Sequence, residues 1–202
     1  MLVPRVASPE AGRAQTQPTA WAAFTLAWAG IVGYSATVTI FEQEGAQVQN
    51  LVLDYTFRKP SSAVVHFVQG PNAGVTLVWN GGSTMAAHRG SGLMALFTRT
   101  LSLHDPLATT IRGSSIDQLS FGAILTHAQQ TPGTVSQGPG PLIDGVPTDA
   151  VTLIPTSSVR NTGLTLEVVD ISKSTHFPMR VVGYEGLALV RAIEFSNVRT
   201  EN

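Results

Sequence analysis

The chain has no cysteine in its 202 residues. That excludes disulfide staples, thiolate zinc sites and cysteine nucleophiles, and it excludes a lipobox cysteine as an acylation point. Charge is scarce as well. Asp, Glu, Lys and Arg make up 12% of the residues, well below the ~25% usual in globular domains. The formal net charge is −1, and Lys and Arg form no cluster, so there is no basic face for nucleic acid. Catalytic signatures are missing too. There is no phosphate loop, no dinucleotide fingerprint and no Gly-x-Ser-x-Gly elbow; Gly90-Ser91-Gly92 lacks the spacing. The histidines, His66, His88, His104, His127 and His176, never fall at a metal-ligand spacing such as H-E-x-x-H. The residues therefore point to a protein that is not an enzyme, with no catalytic residue, no metal and no cofactor.

An unbroken apolar span is also lacking. Gln17 to Phe41 carries no charge, yet Gly30 and Gly33 interrupt it, and Tyr34–Phe41 alternates in the two-residue period of a strand. A helix from Thr19 to about Val32 that turns into a strand fits better than a membrane anchor. Met1–Thr19 holds Arg5, Glu10, Arg13 and three prolines but no apolar core of a secretion signal. Residues 1–18 are read as a disordered tail, with any signal already removed, and 19–202 as one domain. That length can bury a core without staples.

What is present is alternation. In Val48–Phe57, Leu51, Leu53, Tyr55 and Phe57 share one face. Arg58-Lys59-Pro60 ends this strand, because proline cannot continue a paired ladder. Ala63–Val68, a Gly70-Pro71-Asn72 turn, Val75–Trp79, an Asn80-Gly81-Gly82 turn and Thr84–His88 continue an antiparallel meander. Leu93–Thr100 has apolar spacing for a short helix. Ser115 and Gln118 form a capping box that opens a helix from Ile116 to about Gln129. Thr131–Pro141, rich in Gly, Pro, Gln and Ser, reads as a mobile loop. From Val146 the strands resume: one ending at Pro155, one running into Asp170, one over Met179–Tyr184, and a last one after the Glu185-Gly186 turn to Asn202. His66 reads as a hydrogen-bonded sheet histidine and His104-Asp105-Pro106 as a turn. His88-Arg89-Gly90-Ser91-Gly92 reads as a plain loop before an anion cradle. Glu42, Glu44 and Asp54 read as a solvated rim before a paired-carboxylate site.

The order of the strand Tyr34–Glu42, the Lys59-Pro60 corner, Val75–Gly82, the Ile116 helix and the Val146–Asn202 strands resembles the LolA-like superfamily of bacterial envelope proteins. The resemblance covers residues 19 to 202 and is nearer a sister subgroup than the classical lipoprotein carrier. The classical carriers place an arginine just after the Lys-Pro corner, where this chain has Ser61-Ser62-Ala63-Val64-Val65. The resemblance implies an α+β fold: an antiparallel, unclosed half β-barrel with helices packed in its concave face. It also implies a periplasmic or otherwise extracytoplasmic monomer, which binds a lipid, an acyl chain or a lipoprotein in a hydrophobic cavity. A protein-interaction or sensing module on the same fold is the alternative. The expected lining is Leu51, Leu53, Tyr55, Phe57, Val65, Phe67, Leu77 and Trp79 from the sheet. Leu93, Leu96 and Phe97 come from a covering segment, which would gate the cavity together with the Thr131–Pro141 loop.

Overall fold

A computed structural model describes residues 18–90 and 98–202. Its frame is one eleven-stranded sheet in the order β6-β5-β4-β3-β2-β1-β11-β10-β9-β8-β7. The strands are β1 (Gly33–Glu44), β2 (Gln47–Arg58), β3 (Ser62–Gln69), β4 (Val75–Trp79), β5 (Thr84–Arg89), β6 (Arg99–Ser102), β7 (Gly133–Ile143), β8 (Val146–Pro155), β9 (Leu166–Ser172), β10 (Pro178–Glu185) and β11 (Ala188–Glu201). Every neighbouring pair is antiparallel. Most connections are hairpins. The first and last strands meet in the middle, β1 against β11, with Val38 opposite Phe195. β6 and β7 are the two edges, so the barrel stays open.

Alternation decides which face is buried. Tyr34, Ala36, Val38 and Ile40 on β1 and Leu51, Leu53, Tyr55 and Phe57 on β2 are buried, while Asp54 and Thr56 between them are exposed. This concave face is covered by α1 (Thr19–Ala29), a 3-10 turn (Ile116–Leu119) and α2 (Phe121–Gln130). Phe121 is the hub. Its ring stacks on Tyr34 at 4.0 Å between centroids and lies 5.3 Å from Phe177 and 5.2 Å from Phe195. Burial pushes the Tyr34 and Tyr55 phenols well above the ordinary tyrosine range, so both stay neutral donors. Tyr34 Oη donates to the Leu119 carbonyl at 3.3 Å and Tyr55 Oη to the Ile116 carbonyl at 3.2 Å. These bonds fasten both ends of the 3-10 turn to β1 and β2 from within the core, and give each buried phenol its partner.

Pro18 gives α1 no side-chain cap; Ala20 N–H donates instead to Gln137 Oε1 of β7 at 3.0 Å, and the far end is also closed from elsewhere. Lys59 Nζ donates to the Trp28 carbonyl at 2.5 Å and sits 4.3 Å from the centre of the Trp28 ring. A cation at a helix C-terminus and over an aromatic face is favourable on both counts. The Lys-Pro corner thus joins the first helix to the β2–β3 turn. α1 and α2 touch where Gly122 meets Trp28. A Cβ on Gly122 would lie 3.0 Å from the indole ring, so a larger residue here would push the indole aside by a few tenths of an ångström.

Four expectations are corrected. Thr131–Pro141 is not a loop: Gly133–Ile143 is the edge strand β7, paired with β8 alone. Pro139 and Pro141 fit there because an edge strand leaves one row of backbone groups unpaired. The helix from Ile116 is broken at Ser120, whose backbone is extended and whose Oγ accepts from Ala123 N–H at 3.0 Å. Ser120 therefore ends the 3-10 turn and caps α2. Of the expected helix Leu93–Thr100, residues 93–97 lie outside the described residues, and Arg99 and Thr100 belong to strand β6. Finally, Glu42 is no solvated rim. It is fully buried and accepts from Arg112 N–H at 3.0 Å and Ser114 Oγ at 3.2 Å.

Candidate functional site

The concave face has two unequal halves. On β2, β3 and β4, large side chains fill the space. Leu51, Leu53, Tyr55, Phe57, Val65, Phe67, Leu77 and Trp79 are all buried, none more than 8% exposed. Five of them, Leu51, Leu53, Val65, Phe67 and Leu77, border a void of about 30 Å³, no more than one water's share of volume. Tyr55 is tied to the Ile116 carbonyl, Phe57 packs on Trp28 with centroids 5.7 Å apart, and Trp79 Nε1 donates to the Gly82 carbonyl. Leu93, Leu96 and Phe97 lie outside the described residues.

The space is on the other side. A cavity of about 870 Å³ lies between α2 and strands β7 to β11, near the top of the range for ligand pockets. Trp21 of α1 and Leu119 close one side, and Ala123, Ile124 and Ala128 of α2 form a wall. The floor is Val135, Val151, Leu153, Val169, Val181, Ile193 and Phe195. None of the eight described residues expected to line a cavity lines this one. Side-chain size gives the reason. Tyr34, Tyr55, Phe57, Phe67 and Trp79 reach far from the first half of the sheet, whereas the second half presents mostly valines. α2 rests on Phe121, so short side chains below its later turns leave a gap. The usable sequence signal was that change from aromatic to β-branched inward positions.

One end of the cavity is polar. Glu167 on β9, 4% exposed, accepts from Arg191 Nη2 at 2.5 Å and Asn161 Nδ2 at 2.8 Å, and its Oε1 lies 2.8 Å from His127 Nε2. Burial works against ionisation of Glu167. The His127 hydrogen bond, the Arg191 charge and Asn161 outweigh it and hold the carboxyl below its ordinary range. The His127–Glu167 contact ties α2 to the sheet beneath it. Arg112 also borders the cavity. It bonds to the carbonyls of Gln43 and Thr162 and to the Glu185 carboxylate, so its chief work is to bind the 110–115 segment to two hairpin ends. Among the described residues no group of His, Asp and Glu is placed to hold a metal. His66 pairs with Thr76 Oγ1 across β3 and β4 at 3.0 Å, as a sheet histidine. No described helix is long and apolar enough to cross a membrane.

No protein-family profile matches the chain, and no curated protein does. Among solved structures it is similar to an outer membrane lipoprotein-sorting protein domain from Vibrio parahaemolyticus, at 15% identity and a TM-score of 0.42 over 90% of this chain and 92% of that one. It is similar to a LolA superfamily protein from Nitrosomonas europaea, at 12% identity and 0.42 over 92% and 94%. It is also similar to the lipoprotein LppX of Mycobacterium tuberculosis, at 14% identity and 0.45 over 90% and 94%. The chain is an open antiparallel half-barrel with helices in its concave face, and the superfamily its sequence resembles is named among the structures it is similar to.

Proposed function

We propose that this protein is a non-catalytic binding module of the bacterial envelope, which holds a lipid or acyl chain in the cavity between α2 and strands β7 to β11. One observation carries the reading. A gap of about 870 Å³ with an apolar floor remains inside an otherwise filled fold. The cleft is partly open to solvent, so its apolar floor lacks packing partners and faces water. An acyl chain offsets that loss, since each methylene it buries contributes ~0.8 kcal/mol. The wall facing the floor is one helix of ten residues, anchored at its first turn by Phe121, so a ligand can enter by shifting the later turns of α2 without disturbing a sheet strand. The lining residues are those of β7 to β11 and α2, and the β2–β4 residues serve as core.

Native mass spectrometry of the purified protein, followed by organic extraction, tests this. The expected result is co-purified lipid or fatty acid near one per chain, or uptake of a fluorescent fatty acid by protein stripped of ligand. A clean apo mass with no uptake overturns the reading and favours an interaction module on the same fold.

A further inference from the structure

We infer that the polar end of the cavity is a head-group site in which Arg191 receives the anion of a single-chain amphiphile, a carboxylate or a phosphate, while the chain lies along the valine floor. This rests on the cavity reading above and adds ligand class and orientation to it. Arg191 sits on β11 at the cavity wall, two residues before Ile193 and four before Phe195 on the same inward face. The cavity therefore runs from charged to apolar along one strand. A guanidinium carries five N–H donors. Among the described residues the side-chain partner of Arg191 is Glu167 alone, through Nη2, and Nε is buried with no acceptor. The side chain is 16% exposed, and of its unspent donors Nε is the one shut off from water. A half-buried arginine so sparsely paired keeps donors that a planar anion fits well, because carboxylate and phosphate oxygens match its fork.

Glu167 is then an internal counter-anion. It neutralises Arg191 when the cavity holds no anion, and it is itself steadied by His127 and Asn161. An incoming anion shares or takes over the guanidinium, and Glu167 retains its other two partners. Arg112 is not needed for this, since three of its donors are already engaged, by Gln43, Thr162 and Glu185. The arrangement also sets direction. An amphiphile enters with its chain toward Phe195 and Trp21 and stops with its head at Arg191.

The test uses displacement of the neutral probe N-phenyl-1-naphthylamine by dodecanoate, dodecyl phosphate and dodecanol. The three share one chain and differ in the head. Wild-type protein is expected to bind one or both anions at least about tenfold more tightly than the alcohol, the usual margin for a hydrogen bond to a charged group. The anion bound more tightly names the head group, the carboxylate of a fatty acid or the phosphate of a single-chain phosphate ester. Arg191→Gln should abolish that preference and leave dodecanol affinity within about threefold. Arg191→Lys should keep part of it. Glu167→Gln, which frees the guanidinium from its internal carboxylate, should widen it. Equal affinities for all three ligands in the wild type overturn the head-group site and leave the cavity reading standing, as does a preference that survives Arg191→Gln. Failure of all three to displace the probe, or of the probe to bind, overturns both.

Discussion

Glu167 and Phe121 show how single residues set the behaviour of this fold. The Glu167 carboxyl titrates below its ordinary value in the folded chain and near ~4.3 when unfolded. The sign follows from linkage. The ionised pair with Arg191 stabilises the fold fully above the unfolded value, and that contribution is lost as pH falls through the depressed folded value. Chemical denaturation at pH 7 and near pH 3 should therefore show a steeper acid loss in the wild type than in Glu167→Gln. The variant should be about 1–3 kcal/mol less stable at pH 7, the cost of weakening bonds to a charged group; an equal acid slope would assign the acid sensitivity elsewhere. Phe121 acts through packing instead. It is fully buried and in ring contact with Tyr34, Phe24, Phe177 and Phe195. Phe121→Ala should cost about 3–5 kcal/mol, read as a shift of the denaturation midpoint, and should loosen both helices together.

At the scale of elements, α2 depends on one cap. Ser120 ends the 3-10 turn and takes the Ala123 amide, and His127 is the one basic residue of the last turn. Ser120→Ala should cost about 1 kcal/mol. Because α2 is the cavity wall, the same change should speed release of a bound fluorescent fatty acid by stopped flow. Unchanged release with lowered stability would separate the cap from the gate. The cap was written in the sequence but hidden, since Ile116, Leu119, Ala123 and Ile124 keep helical spacing across it. β2, β4 and the last four strands were legible because burial on one face imposes a two-residue period. β7 was not, because an edge strand tolerates the glycines and prolines that mark loops elsewhere. In β7, Gly140 lies so near β8 that a Cβ would sit 2.3 Å from Thr148 Oγ1. Its glycine reflects close strand approach and not chain freedom. The short β6 carries only one buried residue, Leu101, too little pattern to read.

For the whole molecule, the question is where the sheet is full and where it is not, and alternation alone is blind to it. Leu53 and Ile193 occupy equivalent places in sequence terms: each is an inward aliphatic residue in the middle of a long strand, and each is buried, at 2% and 8% exposure. They differ in what faces them. Leu53 borders about 30 Å³ of free space and Ile193 about 870 Å³. The difference arises from the tertiary path of α2 and from aromatic side chains contributed by other strands, so no local window around either residue contains it. Enlarging each side chain separates the two environments. Leu53→Trp overfills a packed region and should cost about 1–3 kcal/mol or more, with ligand uptake retained in the fraction that folds. Ile193→Trp projects into open volume, so stability should be kept within about 1 kcal/mol or rise, as filled voids regain contacts. Its uptake of a fluorescent fatty acid should fall at least tenfold. The two measurements are a denaturation curve and a binding titration on each variant. Uptake lost in Leu53→Trp and retained in Ile193→Trp would return the site to the β2–β4 face. The expected reverse would place it under α2, where the half-barrel holds a ligand-sized space that its own side chains leave empty.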